Sequence, residues 1–244
     1  MSNESFADLW ADIWTVSSQG CGIGHITSRL LDNGNVEVTR RMDLSLEEAT
    51  DRPEDVADKI WTKSVIELVD AERFIWCRYQ SNEGGPSPDK SPFGMFYDGE
   101  TVVEPLANGL SVTNGGESTL LDFPGEGPVV PDIQLPLYAS AKPHDKSLEY
   151  PFQSLGFWRN EKGRSWHLLP LTLRYAGKKG PQTGLGHAYE AALPEDIGRT
   201  FSVWVDDRHR FVGTADEQEG QIAVDDEETA RAVLSARSPG TILS

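Results

Sequence analysis

The chain is poor in cysteine, methionine and basic residues, and it contains no long apolar run. Its 244 residues include 2 Cys and 3 Met, and 22 Lys and Arg stand against 39 Asp and Glu. Two thiols exclude a disulfide-dense scaffold: Cys21 and Cys77 can make at most one bridge, and two buried small residues are the plainer reading. The formal net charge of -17 opposes binding to phosphate backbones or anionic lipid, because both need clustered Lys and Arg to displace counterions. Nucleic acid is therefore not expected as a partner. Without an 18-residue apolar stretch no transmembrane helix is read, and the polar, acidic start MSNESFADLW does not resemble a signal region. The expectation is a cytoplasmic, soluble chain, with the periplasm or cell envelope open if a leader has been removed.

What is present is a supply of apolar and aromatic residues sufficient for a large core, with 38% hydrophobic residues, 7 Trp and 9 Phe. The strongest local signal is Asn33-Gly34, flanked by runs of strand-like residues, because Asn-Gly supplies the positive φ angles of a two-residue hairpin loop. After it Val36, Val38, Met42, Leu44 and Leu46 alternate with polar residues, the period of a strand wet on one side. A two-residue loop would set Leu31 opposite Val36, Ile23 opposite Leu44 and Cys21 opposite Leu46. His25, Arg29 and Arg40 would then share the apolar face.

Taken in order, residues 5–14 read as a helix with Phe6, Leu9, Trp10 and Ile13 on one stripe and Ser5 with Asp8 as a capping box. The polar run DRPEDVAD (51–58) is a connection. Strands are expected over 60–69 and 73–79 around the turn Asp70-Ala71-Glu72, followed by an exposed loop over 81–92. Turns follow at Asp98-Gly99, Asn108-Gly109 and Asn114-Gly115. Pro128, Pro131 and Pro136 rule out a central strand between 124 and 143, which reads as an extended crossing segment. Strands return at 166–175, 186–192, 201–206 and 210–213, with Pro170 placing its strand at an edge or bulge. Asp225-Asp226 caps a final helix. The expected fold is mainly β: curved antiparallel sheet or half-barrel with short N-terminal and C-terminal helices, a single β-rich domain over 1–224 and a helix and tail over 225–244.

The order of these features resembles the β-rich region that precedes the transglutaminase-like domain in some bacterial, planctomycete-type proteins. There a motif of the form G-x-x-I-G-[YH]-x-x-[ST]-R opens a sheet, matched here by Gly20, Ile23, Gly24, His25, Ser28 and Arg29. Trp204-Val205-Asp206 with Arg210-Phe211-Val212 is similar to the closing strand pair of such regions and of LolA-like lipoprotein-carrier sheets. The resemblance implies a strongly curved antiparallel sheet, compatible with a helix against its concave face. It implies no catalytic residue, since the domain bearing Cys, His and Asp would lie beyond these residues.

The residues themselves carry no strong chemical motif. Cys21 and His25 are four apart on a strand, too far for a direct hydrogen bond, and His25 reads as a satisfied core histidine. His25, His144, His167, His187 and His209 lack metal-ligand spacing, although distant residues can converge. The acids at 206–207 and 225–228 fit a turn and a helix start, not a calcium loop. Gly20 to Gly24 precedes a strand rather than the helix a phosphate loop needs. The expected function is a non-catalytic binding or scaffold domain for a protein partner or an apolar ligand, with no cofactor, no metal and no catalytic residue assigned. The alternatives are a LolA-like carrier of hydrophobic molecules, or a hydrolase assembled from distant residues, with Cys21, His25, His167 and Asp206 as the pool.

Overall fold

The computed structural model of the protein describes residues 1–17, 22–44, 60–84, 99–123, 125–160, 163–179, 186–192, 200–215 and 220–236. Among them fifteen strands hydrogen-bond into one sheet. The first eight are β1 (Ile13–Ser17), β2 (Gly22–Leu30), β3 (Val36–Leu44), β4 (Ile60–Asp70), β5 (Ile75–Gly84), β6 (Gly99–Leu106), β7 (Gly109–Asn114) and β8 (Glu117–Asp122). The others are β9 (Val129–Pro131), β10 (Glu149–Asn160), β11 (Gly163–Lys179), β12 (Gly186–Ala192), β13 (Thr200–Val205), β14 (Phe211–Ala215) and β15 (Gly220–Val224). Three helices accompany them: α1 (Asn3–Leu9), α2 (Leu135–Ser140) and α3 (Glu227–Ala236). The mainly β, curved antiparallel architecture with terminal helices is as the sequence led us to expect.

Consecutive strands pair antiparallel from β1 to β8 and from β10 to β15, and β1 pairs with β15 at the middle of the sheet. The two edges are β8 and β9, which are neighbours in the chain. The sheet curls so far that β8 approaches β11 without forming a ladder. Pro170 sits at this seam. The Gln153 N–H donates to the Pro128 carbonyl on the β9 side (2.9 Å), so Pro170, paired with Gln153, turns its ring nitrogen away from β10. On that flank β12 pairs only from Leu173 onward, and a residue without a donor there leaves the edge unable to extend the ladder.

The first hairpin differs from expectation by one residue. Gly34 lies at φ +82°, its N–H donates to the Leu31 carbonyl (2.9 Å), and the Leu31 N–H donates to the Asn35 carbonyl (2.8 Å). This is a turn followed by a left-handed glycine, the three-residue loop rather than the two-residue one. Leu30 therefore pairs with Val36, Gly24 with Met42 and Ile23 with Asp43. Val36, Val38 and Arg40 are buried as expected, but Ile26 shares their face, while His25 and Arg29 move to the opposite one because a one-residue slip inverts the strand. The turns at Asn108 and Asn114 shift likewise. Leu106 pairs with Gly109 and Asn114 with Glu117, so Gly109 opens β7, and Gly115 and Gly116 carry the positive φ angles of 56° and 86°.

Other boundaries also move. Ser2, not Ser5, caps α1 by accepting the Ser5 N–H (3.2 Å), and Ile13 begins a strand. Phe6 and Trp10 are fully buried. Residues 81–84, expected in a loop, complete β5. Asp226 accepts the Thr229 N–H (2.7 Å) at the start of α3, as its sequence suggested. The connection at 51–58, residues 85–92 and 98, Cys21 and Leu46 lie outside the described residues.

The segment 128–144 departs furthest from the extended crossing read from its prolines. It contributes the short edge strand β9, one 3-10 turn over 132–134, and then α2, whose Pro136 stands in the first turn where no N–H is needed. Every residue of α2 is buried. Arg40 of β3 donates to the Ile133 carbonyl (2.6 Å) and Gln134 to Ser64 of β4 (2.9 Å). Trp76 of β5 donates to the Val129 carbonyl (2.8 Å), and Trp10 to the Ser140 hydroxyl (3.1 Å). Tyr138 packs between Phe74 and Phe152, with ring centroids 5.5 and 5.4 Å away. The concave side of the sheet is thus occupied by the chain's own internal segment.

Candidate functional site

Three of the five histidines meet at the end of α2. His187 projects from β12 on the same face as Tyr189, His209 lies in the β13–β14 turn, and His144 follows α2. His144 is the middle ring of the three: its centroid is 3.5 Å from that of His187 at an interplanar angle of 5°, and 4.2 Å from that of His209 at 10°. The turn that carries His209 is fixed by Asp206. Its Oδ1 accepts the N–H groups of Arg208 (2.8 Å) and Arg210 (2.9 Å), and its Oδ2 accepts from the Arg210 guanidinium (2.8 Å). Burial pushes the Asp206 carboxyl up, but these donors outweigh it and leave the group below its ordinary value. They also hold His209 at φ +64°, a left-handed conformation unusual for a residue with a side chain.

The hydrogen bonds assign the protons. Tyr189 donates its hydroxyl to the Lys142 carbonyl (2.6 Å), so its oxygen accepts from His144 Nδ1–H (2.8 Å). His144 Nε2 is then a lone pair, and it is buried without a partner. Asp207 accepts from Lys178 (2.9 Å) and from His187 Nε2–H (2.8 Å), leaving His187 Nδ1 to accept the Tyr175 hydroxyl (2.7 Å). Lys178 first and His187 second hold the Asp207 carboxyl down at about 2. His209 bonds the backbone of Ser140, and its Nδ1 is buried with no partner. His144 and His209 are neutral. Burial, then the flanking imidazoles of His209 and His187, push His144 down to about 4, and burial lowers His209 as well.

Tyr175, His187 and Asp207 form a hydroxyl–imidazole–carboxylate chain in the order that nucleophilic sites use, with a phenol in the first place and a carboxylate already shared with Lys178. For a metal the arrangement is unsuited. Lone pairs in parallel, stacked planes do not converge on one point, and among the described residues no three His, Cys, Asp or Glu side chains are placed to hold an ion.

The residues proposed from sequence are not brought together in this way. His25 lies on β2 with its Nε2 2.7 Å from Asp12 and its ring stacked on Trp14 at 4.0 Å. It is a half-exposed histidine on the outer face, not the core histidine expected, because the hairpin register inverts its strand. His167 meets the Ser165 hydroxyl (2.7 Å) on its own strand, and Asp206 is committed to its turn. Cys77 is a free, exposed thiol, which overturns the buried-thiol reading for that residue; it sits on the outward face of β5. The stacked cluster was missed because 144, 187 and 209 have no common local spacing. The one usable signal was that 186–192 and 201–206 read as successive strands, which brings His187 close to the turn after Asp206.

No protein-family model matches the chain, and no curated protein matches it. Among the solved structures similar in fold is a β-barrel-like protein of domain of unknown function DUF1849 from Brucella abortus, with a TM-score of 0.50 at 9% identity, covering 87% of this chain and 93% of that one. At that identity the likeness concerns the fold alone: a β-rich, barrel-like sheet. No helix among the described residues is long and apolar enough to cross a membrane.

Proposed function

We propose that the protein is a non-catalytic β-rich binding domain, folded over 1–224 with 225–244 as helix and tail, and that its partner is another protein. The observation that carries this reading is the filled concave face. An apolar ligand or lipid carried there would have to displace Leu135, Leu137 and Tyr138, each nearly fully buried and each worth about 1.5–3 kcal/mol of burial. Apolar surface is offered instead toward one edge of the sheet: Leu120 on the edge strand β8 is 72% exposed, Phe123 just after it 38%, and Leu106 at the end of β6 47%. Exposed apolar residues beside a sheet edge suit a protein segment that docks in extended form.

Leu120→Glu tests this, since so exposed a side chain can change without loss of stability. Tagged wild-type and variant proteins isolated from the native host and examined by native mass spectrometry should differ: the wild type retains a partner complex, and the variant loses it by roughly tenfold or more, the effect of one buried leucine. Absence of any partner complex, or equal recovery with both proteins, would overturn the reading.

A further inference from the structure

We propose that the His187–His144–His209 stack is an acid-sensitive latch, which fastens the internal segment 132–144 to the barrel wall while His144 and His209 are neutral and releases it when they are protonated. The reasoning starts from where the rings come from. His144 belongs to the internal segment, whereas His187 and His209 belong to β12 and the β13–β14 turn, so the ring sandwich is itself a contact between segment and wall. Ser140, at the end of α2, strengthens the same contact through Trp10 and His209.

The neutral state satisfies the bonds assigned above, and an added proton does not find a partner. It would enter at His144 Nε2 or His209 Nδ1, both buried without an acceptor. A second proton would set two cations face to face, ring centroids 4.2 Å apart, where their repulsion is little screened by water.

The charged and titratable groups around His144 and His209 offer little compensation, since the nearest carboxylate, Asp207, is bonded to His187 instead. From β11 come Lys178 and Tyr175, and from β12 Tyr189. From the turn come Asp206, already bonded to Arg208 and Arg210, and Asp207, shared by Lys178 and His187. The α-amino group of Met1 adds positive charge near His209 and is itself paired with Glu72. Lys142 spends its ammonium on the Glu72 carbonyl.

The sign follows. A histidine held below its ordinary value binds protons less readily in the latched state than in the released one. The latch is therefore complete above the ordinary value of 6.5 and is lost as the pH falls toward about 4. For His144 alone this displacement shifts the release equilibrium by roughly 20-fold between pH 7 and pH 5.

Hydrogen exchange of the intact chain, corrected for intrinsic rates, reads this directly. In the wild type the protection of amides 135–142 should fall roughly tenfold to twentyfold from pH 7 to pH 5. In His144→Gln the ratio should shrink to less than about threefold, and in His209→Gly, whose backbone angle favours glycine, to an intermediate value. His25→Gln, which removes a histidine outside the stack, should behave as wild type. If His144→Gln is already unprotected at pH 7, His209→Gly alone decides the matter. Equal protection at both pH values in the wild type, or an undiminished acid response in the variants, would overturn the latch.

Discussion

Trp10→Ala is expected to destabilise the protein by about 3–5 kcal/mol, the range for deleting a large buried aromatic side chain. Trp10 is fully buried and lies 6.3 Å from Phe6 and 5.7 Å from Phe211, ring centroid to ring centroid. Its indole N–H is also the donor to Ser140 (3.1 Å), so the substitution opens a cavity and strips a hydrogen bond from the end of α2. A loss of that size is a large share of the 5–15 kcal/mol that holds a typical domain together. Urea denaturation followed by circular dichroism measures it. A loss below about 1 kcal/mol would mean that α1 does not close the core as described.

Gly127→Ala is the second substitution with a large expected cost, about 3 kcal/mol, although it adds a single methyl group. Two penalties add. Gly127 sits at φ +94°, which costs a residue with a β carbon about 1–2 kcal/mol. A β carbon there would also fall 2.2 Å from the Pro151 carbonyl oxygen and 2.7 Å from its carbon, so backbone must move. The displaced strands would weaken the Gln153 N–H to Pro128 bond that starts β9. Gly34→Ala is the matched control. Its φ of +82° is comparable but nothing lies within 4 Å, so its cost should be the backbone penalty alone, about 1 kcal/mol. Equal losses in the two variants, measured by the same denaturation, would remove the steric part of the argument.

How far the fold could be read from the residues depended on whether burial was one-sided. Strands β4, β12 and β13 fell within a residue or two of expectation because they show strand-like composition between clear turns. Strand β10 was not anticipated, since Phe152, Gln153, Ser154 and Leu155 are all buried and a strand covered on both faces shows no alternation. At the first hairpin Asn33-Gly34 was a true turn signal. The loop length of three rather than two residues is set by where the left-handed residue falls, and that one-residue difference was enough to send His25 outward.

The internal helix was hidden by its own prolines. Pro136 is an obstacle to a strand, but it is equally at home in the first turn of a helix, and only the surrounding sheet decides between the two. The histidine cluster was hidden for a different reason. Its members come from the end of α2, from β12 and from a turn between β13 and β14, and no short motif contains two of them. What could be read was the turn chemistry of Asp206 that aims His209, not the neighbour at which it is aimed.

The pairing of β1 with β15 places the first and last strands at the centre of the sheet and its free rims at a mid-chain connection. During synthesis two lobes, β1 to β8 and β10 to β15, can zip from hairpin to hairpin as they emerge. The central ladder has to wait until Gly220–Val224 has left the ribosome, so its closure is the last and most distant step of assembly. Conversely, a single cut between Asp122 and Val129 would sever no ladder at all, and the two fragments would still meet along Ile13–Ser17.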